Sequence, residues 1–142
     1  MRTIKFRGRN EIGEWFYGDL GRVYFTDDAD NGQTTQGLTE VVSIFNQAPN
    51  MGNDFGHRHT VVEKTVGQFT GLKDVNGKEI YEGDILQTQA NFKGVVRWNK
   101  KGNFYLNDDK EQQEKVCENL GVMLEYARFE VIGNIHDNPE LL

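Results

Sequence analysis

Gln68-Phe-Thr-Gly-Leu-Lys-Asp-Val-Asn-Gly-Lys-Glu-Ile-Tyr-Glu-Gly-Asp84 carries two turn signals in one short run. The Asn76-Gly77 pair tolerates the positive φ angles of a type I′ turn, a tight way to reverse an antiparallel pair. Gly83-Asp84 supplies the second turn. Glycine takes backbone angles that other residues avoid, and the Asp84 carboxylate can accept from backbone N–H groups of the turn. Residues 68–90 are therefore expected to form a hairpin and a following strand, in a mainly β fold.

Downstream, residues 85–89, 94–98 and 103–106 read as three strands joined by short Gly/Asn turns. Residues 112–128 break that pattern. Val116, Leu120, Met123, Leu124 and Ala127 recur at helical spacing, although Gly121 weakens a helix by about 1 kcal/mol. Residues 130–136 return to strand. Asn138-Pro139 marks a last helical turn, with Asn as the cap and Pro at the first position. Ile135, Leu141 and Leu142 are expected to be buried.

Upstream, residues 59–69 read as one long strand. Residues 3–9 alternate, with Ile4 and Phe6 on one face and Thr3, Lys5, Arg7 and Arg9 on the other. Residues 15–17 and 22–25 read as two aromatic-rich strands separated by Gly18-Asp-Leu-Gly21. Residues 41–45 fit a strand or one helical turn. Residues 26–37 and 46–58 are polar or loop-like, and the second of these is the natural internal boundary.

With 142 residues, the chain is expected to be one domain, 1–142, with a possible subdivision into 1–45 and 59–142. A chain of this size buries roughly 68–70% of its unfolded surface, enough for a core without disulfides. Cys117 stands alone, so no internal disulfide can form, which fits a reducing compartment or simple indifference to oxidation. No apolar run approaches the length of a membrane span and no signal-peptide core opens the chain, so a soluble, cytoplasmic protein is expected. The 16 basic and 22 acidic residues give a net charge of −6. That balance argues against broad coating of nucleic acid, which needs many cations, but allows a local basic patch.

The block 68–84 and the tail Glu130-Val-Ile-Gly-Asn-Ile-His-Asp-Asn-Pro-Glu-Leu-Leu142 together resemble the YopX family of small phage and prophage proteins. The opening Arg2-Thr-Ile-Lys-Phe-Arg7 is similar to that family's usual start. The resemblance implies a β-rich fold, a phage or prophage origin and a tendency to self-associate. It assigns no catalytic residue. A separate likeness, of architecture alone, joins residues 83–106 and 129–135 to SH3-like small barrels. The expected architecture is thus an N-terminal β meander packed on a small SH3-like C-terminal barrel, with at most one or two short helices.

Residue chemistry points the same way. His57, His59, His136 and Cys117 could supply zinc ligands, but structural zinc sites use paired spacings such as Cys-x-x-Cys, and this chain has one cysteine. No metal and no cofactor is expected. An EF-hand loop aligned on Asp27 and Gly32 would place Ala29 and Leu38 where oxygen ligands belong. Cys117 and Ser43 lack a nucleophile motif. Glu79, Glu82 and Asp84 could form a carboxylate site, but Asp84 is better explained by its turn. Residues 70–73 lack the spacing and the Lys-Ser/Thr ending of a P-loop. No catalysis is expected.

The leading expectation is an accessory protein acting through a protein partner and as a homo-oligomer. The alternative is weak nucleic-acid binding by Lys93, Arg97, Lys100 and Lys101, with Trp98 beside them, since basic residues interleaved with aromatics suit single strands. Against it stands a solvated hairpin with Trp98 in the core. A basic stripe contiguous with an open aromatic groove would favour the alternative, and a His meeting Cys117 in a pocket would favour an enzyme.

Overall fold

The computed structural model describes residues 2–26, 38–46, 57–108, 115–117 and 119–142; the side chains of Phe25, Thr26, Leu38 and Lys115–Cys117 lie outside that description. The loops expected at 26–37 and 46–58 fall mostly outside the described residues, as does the EF-hand alignment on Asp27. The chain divides into two compact units, Lys5–Val66 and Met1–Ile4 with Gly67–Leu142.

In the first unit, β1 (Phe6–Arg9), β2 (Trp15–Thr26), β3 (Leu38–Asn46) and β4 (His57–Thr60) form an antiparallel meander in the order β4-β3-β2-β1. The two strands expected at 15–17 and 22–25 are one continuous strand, β2. Gly18 and Gly21 do not interrupt it; they let β3 approach. A Cβ at Gly18 would sit 2.1 Å from the Phe45 carbonyl oxygen, and one at Gly21 would sit 2.6 Å from the Phe45 ring. Residues 41–45 belong to a strand and not to a helical turn. Val42, Ile44 and Val61 are buried together, with Phe6, Phe16 and Val66 packed against them.

The long strand expected at 59–69 is broken into β4, a 3₁₀ turn at Glu63–Thr65, and β5 (Gly67–Lys73). The buried Thr65 hydroxyl makes the break. It donates to the Val62 carbonyl and accepts from the Arg9 amide, both of which a continuing strand would have used in its ladder.

The second unit holds a hairpin of β5 and β6 (Glu79–Tyr81), followed by β7 (Asp84–Thr88), β8 (Lys93–Trp98), β9 (Phe104–Asn107), β10 (Lys115–Cys117), helix α1 (Leu120–Tyr126) and β11 (Phe129–Asn134). Its five-stranded antiparallel sheet runs β10-β9-β8-β7-β11. That is a four-strand meander with the fifth strand returned beside the first, the strand order of SH3-like small barrels. Ile80, Leu86, Val96, Phe104, Leu106, Leu120, Phe129 and Val131 form its core.

The helix expected across 112–128 is much shorter. Residues 115–117 pair with β9 as a strand, and α1 begins only where the Asn119 side chain accepts from the Val122 amide. The apolar spacing of Leu120, Met123, Leu124 and Ala127 is used as expected, since all four lie in or against the core.

One turn recurs in the described residues. At 10–14, 74–78, 88–92 and 99–103, the first residue's N–H donates to the fifth residue's carbonyl, and the fourth residue's N–H returns to the first residue's carbonyl. In each, the fifth N–H donates to the first residue's side-chain oxygen: Asn10, Asp74, Thr88 and Asn99, at 2.8, 2.9, 3.2 and 3.3 Å. These are three-residue hairpin loops with a left-handed residue at the bulge. The turn at Asn76-Gly77 is therefore not type I′. Of the pair only Gly77 has a positive φ, 81°, and the Asn76 amide donates to the Asp74 carboxylate at 2.8 Å.

Candidate functional site

The two sequence blocks at 68–84 and 130–142 meet in space. β11 pairs with β7, with a register shift between Val131 and Gly133. The Val75 amide donates to the Phe129 carbonyl at 3.0 Å and the Ile135 amide to the Gly83 carbonyl at 3.0 Å. Asn76 Nδ2 donates to Glu130 Oε1 at 3.1 Å. Asp74 is the hub: its buried Oδ1 takes the Asn76 and Lys78 amides, and its Oδ2 takes the Val131 amide at 3.0 Å. A buried carboxylate needs such donors, and Asp74 has three from the backbone.

Several other polar residues of the blocks serve the fold in the same way. Asp84 Oδ2 accepts from the Tyr81 amide at 2.8 Å, the turn role read from its sequence. The Thr70 hydroxyl donates to the Ile80 carbonyl at 2.8 Å. Asn134 Oδ1 accepts from the His136 and Asp137 amides, both at 3.0 Å, and closes the last turn. Asn138 starts the 3₁₀ turn at Pro139–Leu141 but makes no side-chain cap there. Its Oδ1 instead accepts from the Asn134 amide at 3.3 Å, in the space that a side chain on Gly133 would fill. Ile135, Leu141 and Leu142, expected to be buried, are half-buried. Tyr81 donates its hydroxyl to Glu79 Oε2 at 2.9 Å, so Glu79 is tied to its own strand.

Among the described residues, no three His, Cys, Asp or Glu side chains gather as metal ligands. His57 and His59 lie on the edge strand β4. The His59 ring stacks flat on Phe16 at 3.9 Å, which gives it a packing role. The Cys117 side chain lies outside the described residues. Near β3, Arg22 bridges Glu40 and Glu63, the second at 2.7 Å. Glu40 first, then Glu63, hold its guanidinium still more firmly in the charged form. Among the described residues, no helix is long and apolar enough to cross a membrane.

The basic hairpin is split by strand alternation. Lys93 and Arg97 share one face of β8 with Val95, whereas Trp98 shares the other with Gly94 and Val96. Lys93 Nζ donates to the Leu141 carbonyl at 3.0 Å. Lys100 and Lys101 are exposed in the 99–103 turn. Trp98 is not in the core: it is 45% exposed and meets Phe104 edge to face, with centroids 4.7 Å apart. It lines an open cleft of about 370 Å³ with Arg2, Leu72, Asn103, Phe104 and Asn119. Sequence reading missed Arg2, which is distant in the chain, and Gly71, which a bulge in β5 brings to the cleft.

A β meander and an SH3-ordered sheet, both turned by side-chain-closed hairpins, make this a mainly β protein whose recognisable residues are structural. The chain belongs to the YopX family: the family model described as YopX protein matches residues 5–142. It is similar in fold to a solved structure, the crystal structure of protein EF1440 from Enterococcus faecalis, with a TM-score of 0.58 and 23% identity over 100% of this chain and 99% of that one. No curated protein matches the chain.

Proposed function

We propose that the chain is a phage- or prophage-encoded accessory protein of the bacterial cytoplasm that acts through protein–protein contacts, including contacts with further copies of itself, and does no catalysis. One observation carries this reading. Four polar side chains of the family blocks turn their oxygens to the backbone: Thr70, Asp74, Asp84 and Asn134 each hold a turn or a strand junction. A general acid or base must instead reach a proton on its substrate.

The apolar side chains left at the surface supply the contact. Leu20 and Tyr24 share one face of β2, 40% and 57% exposed, on either side of Arg22. The test compares the wild type with a Leu20→Ser, Tyr24→Ser double variant by sedimentation velocity over a range of concentrations, and by affinity capture during prophage induction. The wild type is expected to self-associate or retain a defined partner. The variant, with an unchanged circular dichroism spectrum, is expected to lose that association. A wild type that stays monomeric and captures only what a tag control captures would overturn the reading.

A further inference from the structure

Three features of the Trp98 cleft converge on one ligand chemistry. The first is an accessible aromatic ring, held by Phe104 at the end of β8. The second is a bare backbone beside it. Gly71, at the β5 bulge, and Gly102, at the end of the 99–103 turn, both have positive φ and both face open space, with no atom within 4 Å of where a Cβ would be. A flat ligand can approach both. The third is positive charge at the rim. Arg2 lines the cleft, and Lys100 and Lys101 stand exposed on the turn whose next residues, Gly102 and Asn103, line it.

We propose that this cleft binds a base of a single-stranded nucleic acid, stacked on Trp98, with the flanking phosphates drawn to Arg2, Lys100 and Lys101. Stacking on an aromatic residue combined with a cationic track is how single strands are held with little regard to sequence. The cleft volume of about 370 Å³ lies at the small end of ligand sites, which begin at roughly 300 Å³, and suits one nucleotide unit. A duplex hides its base faces in its own stack, so it cannot use the ring. Three cations in an acidic chain make the binding weak and salt-dependent, with a log-log slope of magnitude about 2. The site takes Trp98, Lys100 and Lys101 from the basic hairpin, adds Arg2, and leaves out Lys93 and Arg97 on the opposite face of β8.

The test uses the full chain and fluorescein-labelled oligonucleotides of about ten nucleotides, as single strand and as duplex, read by fluorescence anisotropy at two salt concentrations. The single strand is expected to bind more tightly than the duplex. Trp98→Leu should weaken single-strand binding by about 5- to 150-fold, the range for one lost base stack, while Trp98→Phe restores most of it. Lys100→Ser with Lys101→Ser, at exposed turn positions, should reduce the magnitude of the slope by about 1.4 with an unchanged circular dichroism spectrum. A free mononucleotide that competes as well per base as the oligonucleotide would overturn the strand and leave a nucleotide site. Equal binding of duplex and single strand, no binding at low salt, or indifference to Trp98→Leu would also overturn the proposal. So would a Trp98 indole N–H resonance that moves with an aromatic peptide and not with the oligonucleotide, because the cleft would then be a peptide groove. Failure here leaves the protein-contact reading standing, since that reading is tested by sedimentation and capture.

Discussion

Asp74 shows how one side chain can join separate parts of a sequence. Its carboxylate closes its own hairpin turn through Oδ1 and receives the Val131 amide through Oδ2. Asp74→Ala removes the acceptor from three backbone N–H groups, two at the turn and one in the buried junction. The expected loss is about 2–4 kcal/mol, since each buried donor left without a partner costs about 1–3 kcal/mol and the turn donors can reach water. Asp74→Asn keeps one acceptor oxygen and should lose less. Urea denaturation of both variants checks the order, and an Asp74→Ala midpoint equal to wild type would contradict it. Gly77→Ala tests the turn itself. At φ 81° a Cβ costs about 1–2 kcal/mol. Asn91 fills the same place at φ 60° without being glycine, so Asn91→Gly should be close to neutral while Asn91→Val is destabilising.

Among the elements, the hairpins were the most readable. Asn or Asp followed three residues later by Gly marks three of the four recurrent turns, at Asn10, Asp74 and Asn99. The signal is local because both the acceptor side chain and the left-handed residue belong to the same five residues. The elements misread were those decided by distant contacts. β2 runs through Gly18 and Gly21 because β3 packs closely against them. Residues 115–117 are strand and not helix because β9 offers an edge to pair with. Trp98 is exposed although its neighbours Val95 and Val96 are fully buried, because the sheet's cover thins at the cleft. The tail turn is a further case. Its leucines are half-buried, so deleting residues 137–142 should cost roughly 1–3 kcal/mol, about half of what fully burying two leucines would contribute. The deletion also removes the carbonyl that Lys93 Nζ reaches. A truncated chain that melts with the full one would show that the tail contributes nothing.

For the molecule as a whole, the two units have unequal cores. The described buried cluster of residues 5–66 holds Val42, Ile44 and Val61, while that of residues 67–142 holds eight side chains, including Phe104 and Phe129. Opening free energy follows buried apolar contact. Amides of Val42 and Ile44 are therefore expected to exchange faster than those of Leu86, Val96 and Leu106. Hydrogen exchange followed by NMR reads this directly, and equal protection in both units would contradict it. The net charge of −6 also has a consequence at this level: any polyanion must be held by a local cluster of cations against the average field, so its binding must weaken steeply with salt.

Fold class, the hairpin at 68–84 and the turn role of Asp84 were legible in the chain because they depend on strand alternation and on turn chemistry within a few residues. Which residues stand together at a surface was not. Spacing alone grouped Lys93, Arg97, Trp98, Lys100 and Lys101, but strand alternation sends Lys93 and Arg97 to the opposite face from Trp98. Arg2 comes to the same cleft from the far end of the chain. A turn is set by a few covalently neighbouring residues. A cleft is set by long-range packing, and that packing assembles only when the whole unit folds.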